Sequence, residues 1–192
     1  MIAIIDYGAG NIRSVQNALA RLGSESKLTN DPIELQEADK VIFPGVGEAS
    51  FAMNQLREQQ LDVLIPTLEK PVLGICLGMQ LLCSYSEEGS TKTLGVFDTP
   101  VKEFKPILNV PHMGWNSCEL TASPIFNRIK SSDDFYFVHS FYAEICSATS
   151  ATCDYILPFS AALQKDNFYG VQFHPEKSAA TGSKLIQNFL EL

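Results

Sequence analysis

Positive charge is scarce. Lys and Arg number 14 against 22 Asp and Glu in 192 residues, a formal net charge of −8. Such a surface repels phosphate backbones and anionic lipid, which argues against nucleic-acid binding and membrane adhesion. No basic, aromatic-rich patch offsets it. Long hydrophobic runs are missing as well. The longest nearly apolar stretch, Pro71 to Cys83, is too short to cross a bilayer and contains Gln80. The N-terminus reaches Asp6 without a basic segment, so no signal peptide is expected. Cysteine pairs with CxxC spacing are absent. Cys76, Cys83, Cys118, Cys146 and Cys153 are an odd set, read as reduced thiols of a cytoplasmic protein with at most one chemical member. Nucleotide loops fail: Gly8-Ala9-Gly10 follows a strand, but Arg13 stands at the third glycine position, and there is no Walker A sequence. The three histidines are too scattered to specify a metal, and His174-Pro175-Glu176 offers only two ligands.

What is present is a globular composition, 45% apolar and 19% charged. The length suits one domain. Ile2 to Ile5, Val41 to Phe43 and Val72 to Ile75 read as short buried strands. Between them, Ile12, Val15, Ala18, Leu19 and Leu22 mark one face of a helix that Gly23 stops. A strand is expected over Glu25 to Leu28. Helices are expected from about Glu48 to Gln59, before Lys70, over Leu77 to Ser84 and over Lys184 to Leu190. Buried strands alternating with amphipathic helices imply a mostly parallel sheet covered on both faces. From Val96 to Leu163 the chain is richer in Thr, Phe, Tyr and Val, which suggests antiparallel strands. The expected fold is therefore one α/β domain over residues 1–192: a parallel or mixed central sheet, flanking helices and a β-rich second half.

The chemistry centres on Gly74-Ile75-Cys76-Leu77-Gly78. A buried strand runs into Cys76 and a helix starts straight after it. A nucleophile on so sharp a turn needs small residues two positions either side. The helix start favours a thiolate and offers N–H groups to an oxyanion. A structural cysteine packed in an apolar run fits the same letters. A thiol nucleophile needs a base. His174 ends the strand Tyr169 to Phe173, and Glu176, two residues on, could hold its tautomer. His139 also ends a strand and is the rival; His112, beside Pro111, is expected in a loop. Pro44-Gly45-Val46-Gly47 follows another buried strand and could present an N–H beside that of Leu77, or be an ordinary tight turn.

Gly74-Ile-Cys76-Leu-Gly78-Met-Gln80 with His174-Pro-Glu176, in that order, resembles the class I (triad) glutamine amidotransferases. The resemblance covers essentially the whole chain. Asp6-Tyr-Gly-Ala-Gly-Asn11, Pro111-His-Met-Gly-Trp-Asn116 and His174-Pro-Glu-Lys-Ser178 narrow it to the glutaminase subunits of imidazole glycerol phosphate synthase, from histidine biosynthesis. It implies that Cys76 attacks the amide of L-glutamine, that His174 moves the protons and that Glu176 orients His174. It implies oxyanion donors at Leu77 and at Gly45, Val46 and Gly47. Gln80 would hold the α-amino acid end of the substrate, with His139 and Ser140 lining the other side. Asn11, Met113 and Trp115 would face a (β/α)8-barrel cyclase, which receives the ammonia internally and activates the glutaminase. No cofactor or metal is implied. Ala9 and Phe141 look like tolerated variation. A free-standing cysteine hydrolase or peptidase would leave Gln80 and Glu176 without use; a non-catalytic regulator would not need the three intact residues.

Overall fold

A computed structural model describes residues 1–8 and 10–192; Ala9, read above as tolerated variation, lies outside them. Strands β1 (Ile2–Ile5), β2 (Ser26–Thr29), β3 (Lys40–Gly45) and β4 (Val72–Cys76) alternate with helices α1 (Ile12–Arg21), α2 (Pro32–Glu37), α3 (Ala49–Glu58) and α4 (Leu61–Leu64), before α5 (Leu77–Leu82). The β-rich part comprises β5 (Tyr85–Ser86), β6 (Thr91–Lys92), β7 (Pro100–Glu103), β8 (His112–Ser117), β9 (Glu119–Leu120), β10 (Asp134–His139), β11 (Phe141–Ala143), β12 (Thr149–Tyr155), β13 (Leu157–Lys165) and β14 (Phe168–Val171). Helix α6 (Ala179–Leu190) closes the chain.

The main sheet runs β2-β1-β3-β4-β14-β13-β11-β7-β5-β6, with β12 and β9 continuing from β13. Strands β2, β1, β3, β4 and β14 are parallel; β13 turns the sheet antiparallel. Strands β8 and β10 form a separate antiparallel pair. Strands β1, β4 and β14 are buried throughout, as is β3 from Val41, so apolar residues and glycine fill them on both faces, whereas the edge strand β2, Ser26-Lys27-Leu28-Thr29, is largely exposed. Along β1, Ile2 and Ile4 enter one core while Ala3 and Ile5 enter the other. Helices α1 and α6 cover the first core, and α2 to α5 the second.

Two sequence expectations need correcting. His112 is not in a loop: it opens β8, is buried, and pairs in register with His139. Helix α6 starts at Ala179, not Lys184, because Gly182 lets its first turns lie against Pro175; a Cβ on Gly182 would strike the Pro175 carbonyl. Helix α2 has no apolar period to announce it. It is held by Asp31, whose carboxylate accepts from the N–H groups of Ile33 and Glu34, and only Leu35 is buried.

Candidate active site

Register builds the site. Gly45 at the end of β3 lies opposite Cys76 at the end of β4. On the other side Val171 of β14 lies opposite Ile75, so Gln172 follows beside Cys76 and His174 comes two residues later. The carboxyl ends of three neighbouring parallel strands thus converge, the usual ligand position in such sheets.

Cys76 sits at φ 53° and ψ −111°, a left-handed conformation that costs a non-glycine residue on the order of 1–3 kcal/mol. The chain cannot relax there, because α5 starts at the next residue and packs directly on β3. A Cβ on Gly78 would be driven into the carbonyl oxygen of Phe43. A Cβ on Gly45 would come within 2.6 Å of the Gly78 nitrogen. Gly45 is therefore small for packing, whereas Gly47, at φ 99° with open space beyond it, supplies the freedom of the turn. Val46 is partly exposed and lines the cavity with Gly47 and Leu77.

The cavity, about 400 Å³, also exposes Cys76, Gln80, Glu88, Ser140, His174 and Lys177. His174 Nδ1 is 2.8 Å from Glu176 Oε1, and both side chains are buried. Burial alone would lower the His174 pKa. Hydrogen bonding to Cys76 and to Glu176 outweighs it and raises the value to about 10. The backbone of His174 is clamped: its N–H donates to Tyr136 O at 2.9 Å, and its carbonyl accepts from Ser178 Oγ at 2.7 Å. Ser178 Oγ in turn accepts from Tyr136 N–H at 2.9 Å. The Cys76 sulfur lies 3.9 Å from Val138 O and 3.7 Å from Gln172 Nε2.

Gln80 and His139 line the cavity but are already engaged. Gln80 Nε2 donates to Phe141 O at 2.9 Å and to Gln172 Oε1 at 2.8 Å, leaving its own Oε1 as an acceptor. His139 Nδ1 donates to Phe141 O at 2.7 Å, and its Nε2 lies 3.0 Å from His112 Nδ1. His139 thus presents a ring, not a free nitrogen. Burial pushes the His139 pKa down to about 3 and that of His112 to about 4, so both are neutral. Phe141 contributes through its main-chain oxygen, which accepts from both Gln80 and His139. Met113 and Trp115 project from β8 into solvent, 62% and 54% exposed, on the face opposite His112. Asn11 is part-exposed and precedes α1.

Besides Lys177 on the cavity wall, Gln172, Glu88 and Ser178 lie near the chemistry without a role in the sequence reading. Gln172 gives no local signal; only the pairing of β14 with β4 brings it to Cys76. Glu88 lies in an acidic Glu87-Glu88-Gly89 turn, which is a signal in its own right. Its Oε2 accepts from Ala49 N–H at 2.7 Å, and burial raises its pKa. Ser178 ends the His174–Ser178 stretch, and only the fold shows that its hydroxyl clamps His174.

Residues 3–192 match the family described as glutamine amidotransferase class-I. The imidazole glycerol phosphate synthase subunit HisH of Bacteroides thetaiotaomicron is 56% identical over 100% of this chain and 99% of its own length. That of Escherichia coli is 49% identical, again over 100% and 99%. Among solved structures, a glutamine amidotransferase superposes with a TM-score of 0.75 at 19% identity, covering 100% of this chain and 98% of that one. PurLQS of Thermotoga maritima gives 0.74 at 16%, covering 99% and 97%. These two likenesses concern the fold. An elbow cysteine beside a buried His–Glu pair, on this sheet and in sequences so alike from end to end, has one reading: the chain belongs to the class-I glutamine amidotransferases, and within them to the HisH family of imidazole glycerol phosphate synthase subunits.

Proposed function

We propose that this chain hydrolyses L-glutamine to glutamate and ammonia, as the glutaminase subunit of an imidazole glycerol phosphate synthase in histidine biosynthesis, with Cys76, His174 and Glu176 as its catalytic residues. The observation that carries the assignment of residues is the buried 2.8 Å contact between Glu176 and His174, which lines the same cavity as Cys76. The Cys76 thiol gives its proton to His174 Nε2, and the sulfur attacks the side-chain amide carbon. The N–H of Leu77 and the Val46–Gly47 turn meet the oxyanion. His174 returns the proton to the amide nitrogen, the C–N bond breaks, ammonia leaves and a glutamyl thioester remains. His174 then takes a proton from water, whose oxygen attacks the thioester; the C–S bond breaks with its electron pair on sulfur, His174 returns its proton to that sulfur, and the acid departs as glutamate, its proton passing to solvent. Glu176 holds Nδ1–H throughout, so Nε2 always faces the reaction.

The substrate's α-ammonium suits the acceptors on the cavity wall, Gln80 Oε1 and the Glu88 carboxylate. Lys177 offers its carboxylate a cation. A synthase of this kind implies a cyclase partner, which we take to be a (β/α)8 barrel forming a heterodimer in the cytoplasm and receiving ammonia internally. Exposed Met113 and Trp115 support β8 as part of the docking face, and half-buried Asn11 at the start of α1 would also face the partner. Among the described residues no helix is long and apolar enough to cross a membrane. The test is the complex carrying Cys76→Ser or His174→Asn. Glutamine-dependent synthesis should vanish while synthesis from added ammonia survives. Glutamate release near the wild-type rate in either variant would remove that residue from the mechanism.

A further inference from the structure

We propose that Gln172 is a further catalytic residue: its side-chain amide donates a hydrogen bond to the Cys76 sulfur and stabilises the thiolate. This rests on Cys76 being the nucleophile. Gln172 is fully buried, and its Nε2 lies 3.7 Å from Sγ, within reach of a sulfur acceptor.

The decisive matter is which end of the amide faces the sulfur, since oxygen would repel a thiolate and nitrogen would hold it. Amide ends are assigned from their hydrogen-bond partners. Here the partners lead back to a group that cannot be turned round. The Phe141 carbonyl can only accept, so the Gln80 atom 2.9 Å from it must be the nitrogen. That same nitrogen lies 2.8 Å from Gln172, which must therefore offer its oxygen. The Gln172 nitrogen is left facing Cys76. Turning Gln172 over would set two NH2 groups against each other at one end and an oxygen against sulfur at the other. Turning Gln80 over would oppose two oxygens at Phe141.

The same carbonyl fixes the histidines. His139 Nδ1, 2.7 Å from Phe141 O, must carry its hydrogen. In the neutral ring, Nε2 then accepts from His112 Nδ1–H. One main-chain oxygen, with both lone pairs used, thus dictates the orientation of four side chains and directs an N–H at the nucleophile.

Gln172 N–H and His174 act on the sulfur differently. His174 takes up the proton and gives it away during the cycle, so its charge on the sulfur comes and goes. The Gln172 donor is constant. It is of greatest use when sulfur is anionic, before attack and again when the thioester C–S bond breaks. A hydrogen bond to a charged group changes an equilibrium by roughly tenfold to a hundredfold; for a long sulfur contact we expect about tenfold.

The experiment measures the pH dependence of Cys76 alkylation by iodoacetamide in the glutaminase–cyclase complex, with peptide mapping of the label. Gln172→Glu keeps the acceptor that Gln80 needs but turns an oxygen to the sulfur. Gln172→Met removes both functions. Both variants should move the midpoint of the profile up, Gln172→Met by about one pH unit and Gln172→Glu by more. Alkylation should recover the wild-type rate at high pH, and glutamine-dependent turnover at neutral pH should fall about tenfold or more. Synthesis from added ammonia reports that each complex is intact. An unmoved profile overturns the proposal, whether or not turnover falls. So does a larger shift in Gln172→Met than in Gln172→Glu, because a loosened Gln80 would then be the cause. If the wild-type label maps to another cysteine, the nucleophile assignment fails instead. Should one variant not assemble, the profile of the other decides.

Discussion

Acid should loosen this fold through His139. Both of its ring nitrogens are committed, Nδ1–H to Phe141 O at 2.7 Å and Nε2 to His112 Nδ1–H at 3.0 Å. A proton added at Nε2 therefore opposes the His112 Nδ1–H or forces His112 into its other tautomer. Burial already holds its pKa at about 3 in the folded state, whereas the unfolded chain keeps the ordinary value near 6.5. As pH falls below 6.5 the unfolded state takes up the proton first, so this contribution is intact above that pH and is lost on acidification toward 3. At pH 5 the loss is about 2 kcal/mol, and at pH 7.5 it is negligible. His174 runs the other way. Its raised pKa, about 10, makes its contribution complete below the unfolded value and lost as pH climbs through 10. The wild-type slope alone is thus a mixture, and a variant is needed to separate the two. His139→Asn cannot titrate but retains an N–H near Phe141 O. Urea unfolding of the two proteins at pH 7.5 and pH 5 should show the wild-type advantage shrinking by about 2 kcal/mol, roughly 4–8 °C in Tm for a chain this size. A wild-type advantage independent of pH would refute the neutral, doubly engaged imidazole.

A glutamine-like electrophile should label Cys76 before any other thiol. Cys83, directly after α5, is fully buried, and burial drives its pKa far above the usual thiol range; peptide mapping that found it modified first would contradict this. Gly78→Ala should cost about 3 kcal/mol or more, because its methyl group meets the backbone of Phe43 and not a side chain that can swing away; a denaturation midpoint near wild type would mean that β3 and α5 separate easily. The lone chain should be a weak glutaminase that the cyclase accelerates by a few hundredfold, the worth of one oxyanion donor. The hinge is Val46–Gly47, since Gly45 is sealed against α5. Equal steady-state rates with and without the partner would remove the switch.

Much of this is legible in the sequence where local pattern and local structure coincide. The apolar run of β3 closes on Pro44-Gly45, and although the run through β4 continues into α5, the elbow within it can be read from two glycines around a cysteine. His174 and Glu176 are neighbours in the chain, so their contact is local as well. His112 misleads because its flanking proline reads as a breaker, whereas its place is set by the distant strand β10 and by stacking between Phe137 and Tyr155, with ring centroids 4.8 and 4.0 Å away. Gln172 and Phe141 are invisible for a related reason. Their roles depend on which strands become neighbours and on a main-chain atom that every residue type possesses.

That last point bears on how this protein tolerates change. The Phe141 carbonyl survives any single substitution, so a scan of side chains at position 141 would report an undemanding site. Inserting or deleting one residue there would carry the oxygen away and leave two histidines and two glutamines free to turn. Replacing the Phe141–Tyr142 amide by an ester would weaken the acceptor with every side chain unaltered. Within this family the spacing from His139 to position 141 should accordingly be strict while the side chain at 141 is free to change, and alignments scored by residue identity alone would rank position 141 too low.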